Sequence, residues 1–90
     1  MIKGTTKSGF SYSVDPDNVK DMRVIELAAK TKYDGLYVPE LASRILGEKQ
    51  KERLYKHLED KKGRVSPDKF GDALDEIMTA VNNADETKNS

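Results

Sequence analysis

The stretch from Ile45 to Phe70 constrains the fold more than any other part of the chain, because it holds two helix stops and one strongly marked helix start. Gly47 follows the apolar pair Ile45-Leu46 and supplies a left-handed stop. A highly charged helix is expected next, from about Glu48 to Lys61, with only Leu54, Tyr55 and Leu58 to seat it on a core. Gly63 ends that run, and Val65-Ser66-Pro67 opens another helix. There Ser66 is the N-cap, Pro67 takes the first helical position, and Val65 can staple onto Phe70 across the cap. A chain punctuated in this way folds as short helices meeting at tight corners. Nothing in the stretch has the pattern of a catalytic site, and the chemistry it offers is surface chemistry for a partner.

The remaining elements pack onto this corner. Residues 2–6 and 9–14 read as two strands around Lys7-Ser8-Gly9, with Phe10, Tyr12 and Val14 alternating with serines. An isolated two-stranded hairpin is marginal in water, so it must lie on the helices or gain a third strand, and its free edge could accept a partner strand. Asp15-Pro16-Asp17 signals a helix start. That helix is expected to run to about Ala29, burying Val19, Met22, Ile25 and Ala29 with Val24, Leu27 and Ala28 at the margin. Asp34-Gly35 marks a turn. Val38, Leu41, Ala42, Ile45 and Leu46 then follow the core-facing template of a short helix from about Pro39. The last helix should turn Phe70, Ala73, Leu74, Ile77, Val81 and Ala84 inward and Asp68, Asp72, Asp75 and Glu76 outward. Gly71 inside it costs ~1 kcal/mol relative to Ala, which suggests a close helix–helix approach. The expected architecture is α+β and mostly α: an N-terminal β-hairpin on a small bundle of about four helices. It forms one domain over 1–84, with a disordered polar tail over 85–90.

A chain of 90 residues buries only ~60% of the surface it exposes when unfolded, so its core is thin and self-association would help it. Apolar and charged residues each make up 36% of the chain. The sixteen bases and sixteen acids cancel, so no overall field steers the protein to nucleic acid or an anionic membrane. The zero hides a gradient. Bases dominate from Glu48 to Arg64 and acids dominate after Val65, an asymmetry able to orient a partner or a second copy. With no cysteine, disulfides and thiolate metal sites are excluded. No signal-peptide run and no stretch of membrane-span length is present, which points to a soluble intracellular chain.

His57 is the only histidine, and the sequence shows no convergent partners that would make it catalytic or a metal ligand. Asp72 with Asp75 and Glu76 has the spacing of an exposed acidic helix face rather than of an acid/base pair. The glycines form no phosphate loop. The two helices around Gly63 resemble a helix-turn-helix, but the second is acidic, the wrong sign for phosphate contact. Tyr12, Tyr33, Tyr37 and Tyr55 suit either boundary packing or an interface.

Two segments give the chain a resemblance to the small tail assembly chaperones of long-tailed, non-contractile bacteriophages and prophages of Gram-positive bacteria. One runs from Lys7-Ser8-Gly9-Phe10 through Val14-Asp15, and the other is Leu46-Gly47 with Gln50, Leu54, His57-Leu58, Asp60 and Gly63-Arg64-Val65. Order, overall length and a lysine-bearing tail are also similar. The resemblance implies a non-enzymatic assembly factor in the host bacterial cytoplasm, absent from the mature virion, with no cofactor, metal or catalytic residue. Its implied partners are the tail tape measure protein, which it would keep soluble, and the tail tube protein, with homo-oligomers and a longer frameshifted form also known in the family. Neither a membrane nor nucleic acid is an expected partner. A holdase needs exposed apolar or aromatic surface ringed by charge, and the residues that would supply it are Phe10, Tyr12, Tyr33, Leu36 and Tyr37. A small DNA-binding phage regulator and a head–tail joining or tail completion protein are the alternatives.

Overall fold

The computed structural model describes the backbone of residues 1–89 and the side chains of residues 1–84. The tail expected over 85–90 lies outside the residues whose side chains are described. Strands β1 (Ile2–Thr5) and β2 (Ser11–Val14) pair antiparallel, Ile2 opposite Val14 and Thr5 opposite Ser11. Gly9, with φ +96°, turns the chain between them. The Thr6 side chain closes the turn by accepting from the Phe10 amide at 3.1 Å. The ring of Tyr12 crosses the strand pair and lies over Gly4, in the space a Cβ there would fill. A glycine is needed at that position for the ring to reach the core.

The helices follow as α1 (Pro16–Lys20), α2 (Met22–Thr31), α3 (Val38–Leu58) and α4 (Pro67–Asn89), with a single 3-10 turn over Gly35–Tyr37. The architecture is therefore the expected one, a hairpin on a small helical bundle. Asp15 caps α1 by accepting from the Asp17 amide at 3.0 Å, as the Asp-Pro-Asp signal implies.

The single helix expected from Asp15 to Ala29 is instead two. The chain leaves the helical region at Asp21 (ψ 130°), and the Asp21 carboxylate caps α2 by accepting from the Arg23 amide at 2.8 Å. Val19 and Val24 lie about 140° apart around a continuous helix, so one straight helix could not point both inward. The break at Asp21 lets both side chains reach the core. It also reverses the expected inner face of α2: Val24 and Leu27 are buried, while Met22, Ile25 and Ala29 are exposed.

Gly47 interrupts α3 with φ 79° and ψ 162°, a backbone region essentially confined to glycine. It divides α3 into arms 38–46 and 48–58, the stop that the sequence marks. Lys51 braces the bend: its Nζ donates to Ser43 Oγ at 2.7 Å and pairs with Glu48 at 3.1 Å. The second corner is closed by Asp60, whose Oδ1 accepts from the amides of Lys62 (2.8 Å) and Arg64 (3.0 Å). Those bonds, the one from Arg64 first, hold the carboxyl below its ordinary range.

The core sits between the hairpin and the helices. β2 contributes Phe10 from the turn before it, then Tyr12 and Val14; the first arm of α3 gives Leu41, Ala42, Ile45 and Leu46, and the second gives Leu54. From α4 come Phe70, Ala73, Leu74, Ile77 and Val81, as expected, whereas Ala84 is exposed. Tyr55 stacks on Phe70 with ring centroids 4.9 Å apart, joining the second arm of α3 to α4.

Side chains from α3 occupy part of the outer edge of β2. At Ser13 the Gln50 side-chain amide behaves as a third strand: Oε1 accepts from Ser13 N and Nε2 donates to Ser13 O, both at 2.8 Å. Two residues away Arg53 donates to Ser11 O at 2.9 Å, its guanidinium lying over the Phe10 ring. The charged second arm of α3 thus takes the place of a strand.

Candidate polypeptide-binding surface

Of the five residues that the sequence offered for partner contact, the structure separates two from the rest. Phe10 and Tyr12 are core residues, 3% and 8% exposed, and are not available as surface. The pleat of β2 turns both inward, and burial, then the nearby Glu76 carboxylate, pushes the Tyr12 phenol above its ordinary pKa. Tyr37 is half-buried against the core with the Lys30 ammonium 5.2 Å from its ring centroid. Tyr33 and Leu36, at 92% and 85% exposure, are open to solvent.

Sequence periodicity hid two further residues by placing them in the core: Met22 is 69% and Ile25 49% exposed. The signal that could have found them is the doubled apolar pattern of α2. Val24, Leu27 and Ala28 share one face, Met22, Ile25 and Ala29 share the opposite one, and a helix on a protein surface can bury only one of the two. Tyr33 continues the outward row four residues past Ala29, held by its amide donating to Lys30 O at 3.0 Å. Asp34 then caps the 3-10 turn, accepting from the Leu36 amide at 3.0 Å, and so fixes the turn that leaves Leu36 outside.

Leu36 also borders an open groove of about 500 Å³ between the 3-10 turn, the start of α3 and α4. Val38, Tyr55, Val65 and Leu74 are among its apolar lining, and Asp68, Asp72 and Asp75 form its acidic side. Gly71 stands on the same wall, and a Cβ there would meet nothing within 4 Å. The close approach within the fold that the sequence suggested for Gly71 is therefore absent, and its ~1 kcal/mol cost to the helix has no internal compensation.

His57 is exposed on the second arm of α3, where its Nε2 lies 3.1 Å from Ser8 O and 3.2 Å from Ser8 Oγ. A carbonyl only accepts, so a hydrogen bond to Ser8 O requires the tautomer with its proton on Nε2, whereas the Ser8 hydroxyl can pair with either tautomer. The ring ties the hairpin turn to α3, and the Lys7 amide ties it to α4 by donating to Glu76 at 2.8 Å. Among the described residues no three His, Cys, Asp or Glu side chains converge to hold a metal ion, and no helix is long and apolar enough to cross a membrane.

No family model, curated protein or solved structure matches this chain.

Proposed function

We propose that this protein is a non-enzymatic assembly chaperone that holds an aggregation-prone polypeptide, of the tape-measure type, through the apolar side chains exposed between residues 22 and 36. One observation carries the reading. Apart from Met1, the large apolar side chains left exposed among the described residues are Met22, Ile25, Tyr33 and Leu36, all within that short segment. Isolated surface hydrophobics are ordinary, whereas a cluster marks a contact surface. The resemblance of the hairpin and of the Leu46–Val65 region to phage tail assembly chaperones supports the same reading. The acidic outer face of α4 disfavours a DNA-reading role for the α3–α4 pair.

The test is co-expression of a Met22→Ser, Ile25→Ser, Tyr33→Ser, Leu36→Ser variant with the tape measure protein. Surface replacements of this kind change stability by about 0.5 kcal/mol or less each, so the variant should fold. The expected result is a shift of the partner into the insoluble fraction. Undiminished solubility of the partner removes the reading.

A further inference from the structure

We infer that the groove between the 3-10 turn and α4 is a docking site for a basic amphipathic helix of a partner polypeptide. The inference rests on the polypeptide-binding reading and adds a second contact, its geometry and the chemistry of the segment it takes.

Among the α4 residues that line the groove, Asp68, Gly71, Asp72 and Asp75 are spaced i, i+3, i+4 and i+7, a single helical face. None of its three carboxylates has an ion-pair or hydrogen-bond partner among the described residues. Among the described residues no Lys or Arg lines the groove. The lining thus combines an apolar floor with one sign of charge along one wall. That combination fits a helix whose apolar side chains enter the floor while Lys or Arg at its margin meet the carboxylates.

Gly71 supplies the independent observation. A glycine in mid-helix weakens α4, and a Cβ there would meet nothing within 4 Å among the described residues. Lacking a Cβ, it lets a foreign backbone come close at the centre of the acidic face. Helices pack with axes ~8–10 Å apart, the shorter distances requiring small side chains at the contact.

The probe is a synthetic peptide of about 18 residues, long enough to hold a helix, with leucines on one face flanked by lysines. A matched peptide carries glutamates in place of the lysines. Binding is read by fluorescence anisotropy at low salt. The lysine peptide should bind at least tenfold more tightly than the glutamate peptide and weaken as salt is raised. Gly71→Leu should raise the melting temperature by about 4 °C, since leucine is the better helix former, and yet reduce peptide affinity at least tenfold by filling the groove. Asp68→Asn, Asp72→Asn, Asp75→Asn together should cost about fivefold to tenfold.

Equal binding of the two peptides, or affinity untouched by Gly71→Leu in a folded variant, overturns the inference. So does a wild-type chain that sediments as a dimer dissociated by Gly71→Leu, because the occupant is then a second copy. A Met22→Ser, Ile25→Ser, Tyr33→Ser variant, which leaves the groove-lining Leu36 in place, separates the two proposals. If it fails to hold the partner while Gly71→Leu leaves peptide binding intact, the groove falls and the chaperone reading stands. If it still holds the partner while Gly71→Leu abolishes peptide binding, the exposed segment falls and the groove stands.

Discussion

Replacing Gln50 with alanine tests whether its side-chain amide stands in for a third strand. Three hydrogen bonds leave with it: Ser13 N to Oε1, Nε2 to Ser13 O and Nε2 to Leu46 O, each 2.8 Å. The last satisfies a carbonyl at the end of the first arm of α3, where Gly47 stops the helix. A net ~0.5–1.5 kcal/mol for each bond gives roughly 1.5–4.5 kcal/mol. Ser13 and Gln50 are only half-buried, so water recovers part, and about 2 kcal/mol is the expected loss. Alanine is the better helix former by a few tenths of a kcal/mol, which works against the loss and makes the test conservative. For a domain of this size each kcal/mol moves the melting temperature by ~4–8 °C, so Gln50→Ala should melt about 8–16 °C lower by circular dichroism. Gln50→Glu sharpens the test. Its carboxylate can still accept from Ser13 N, but it meets the Ser13 and Leu46 carbonyls with an oxygen instead of a donor. Only the protonated form can donate to one of them, so its folded pKa is raised above the unfolded value of ~4.3. The variant's proton-dependent stability is therefore complete below that value and is lost as pH rises through the raised folded pKa. Gln50→Ala melting within about 2 °C of wild type, or Gln50→Glu without this acid recovery, would refute the reasoning.

Two other predictions concern the corners. Gly47→Ala places a Cβ in a backbone conformation of φ 79° and ψ 162°, costing ~1–3 kcal/mol; a melt lowered by less than about 4 °C would mean that α3 straightens without harm. Asp60 has its carboxyl lowered by the amide bonds from Arg64 and Lys62. Its contribution is therefore present above the unfolded value of ~3.9 and lost as pH falls through the depressed folded value. Urea titrations of wild type and Asp60→Asn between neutral pH and pH 2 should show a smaller acid loss in the variant, and parallel curves would count against the turn as described.

The parts of the fold that could be read from residue order are those fixed by local chemistry. Gly47, the Ser66-Pro67 cap and the alternation from Phe10 to Val14 each specify a backbone conformation within a few residues, and the structure has each of them. Where the reading went astray, the deciding contact was distant in sequence. Asp21 looks like one more charged residue on a helix, yet it caps α2 at a break that brings both Val19 and Val24 into one core. Gln50 covers Ser13 across 37 residues, so no local pattern reveals that a side chain occupies this part of the β2 edge. For the candidate surface, the turn residues Tyr33 and Leu36 were legible because Asp34-Gly35 marks a loop. Met22 and Ile25 were not, since periodicity counts apolar faces without saying which one meets the core.

That ambiguity in α2 has a consequence for function. A lean domain gains from every apolar side chain it can bury, at ~25 cal/mol per Å² removed from water, and this one takes even the alternating aromatics of its hairpin into the core. Against that background Met22, Ile25, Tyr33 and Leu36 remain outside, although α2 could have carried polar residues on its outer face at no cost to packing. Gly71 presents the same departure in a different form, because alanine would strengthen α4 and none of the described residues occupies the space beside it. Both features weaken or expose the isolated chain, and neither is required by its fold. They lie on neighbouring parts of the molecule, joined at Leu36, which belongs to the exposed segment and borders the groove. In the proposed function Leu36 is where the exposed segment and the groove meet, while Met22, Ile25 and Tyr33 lie outside the groove lining.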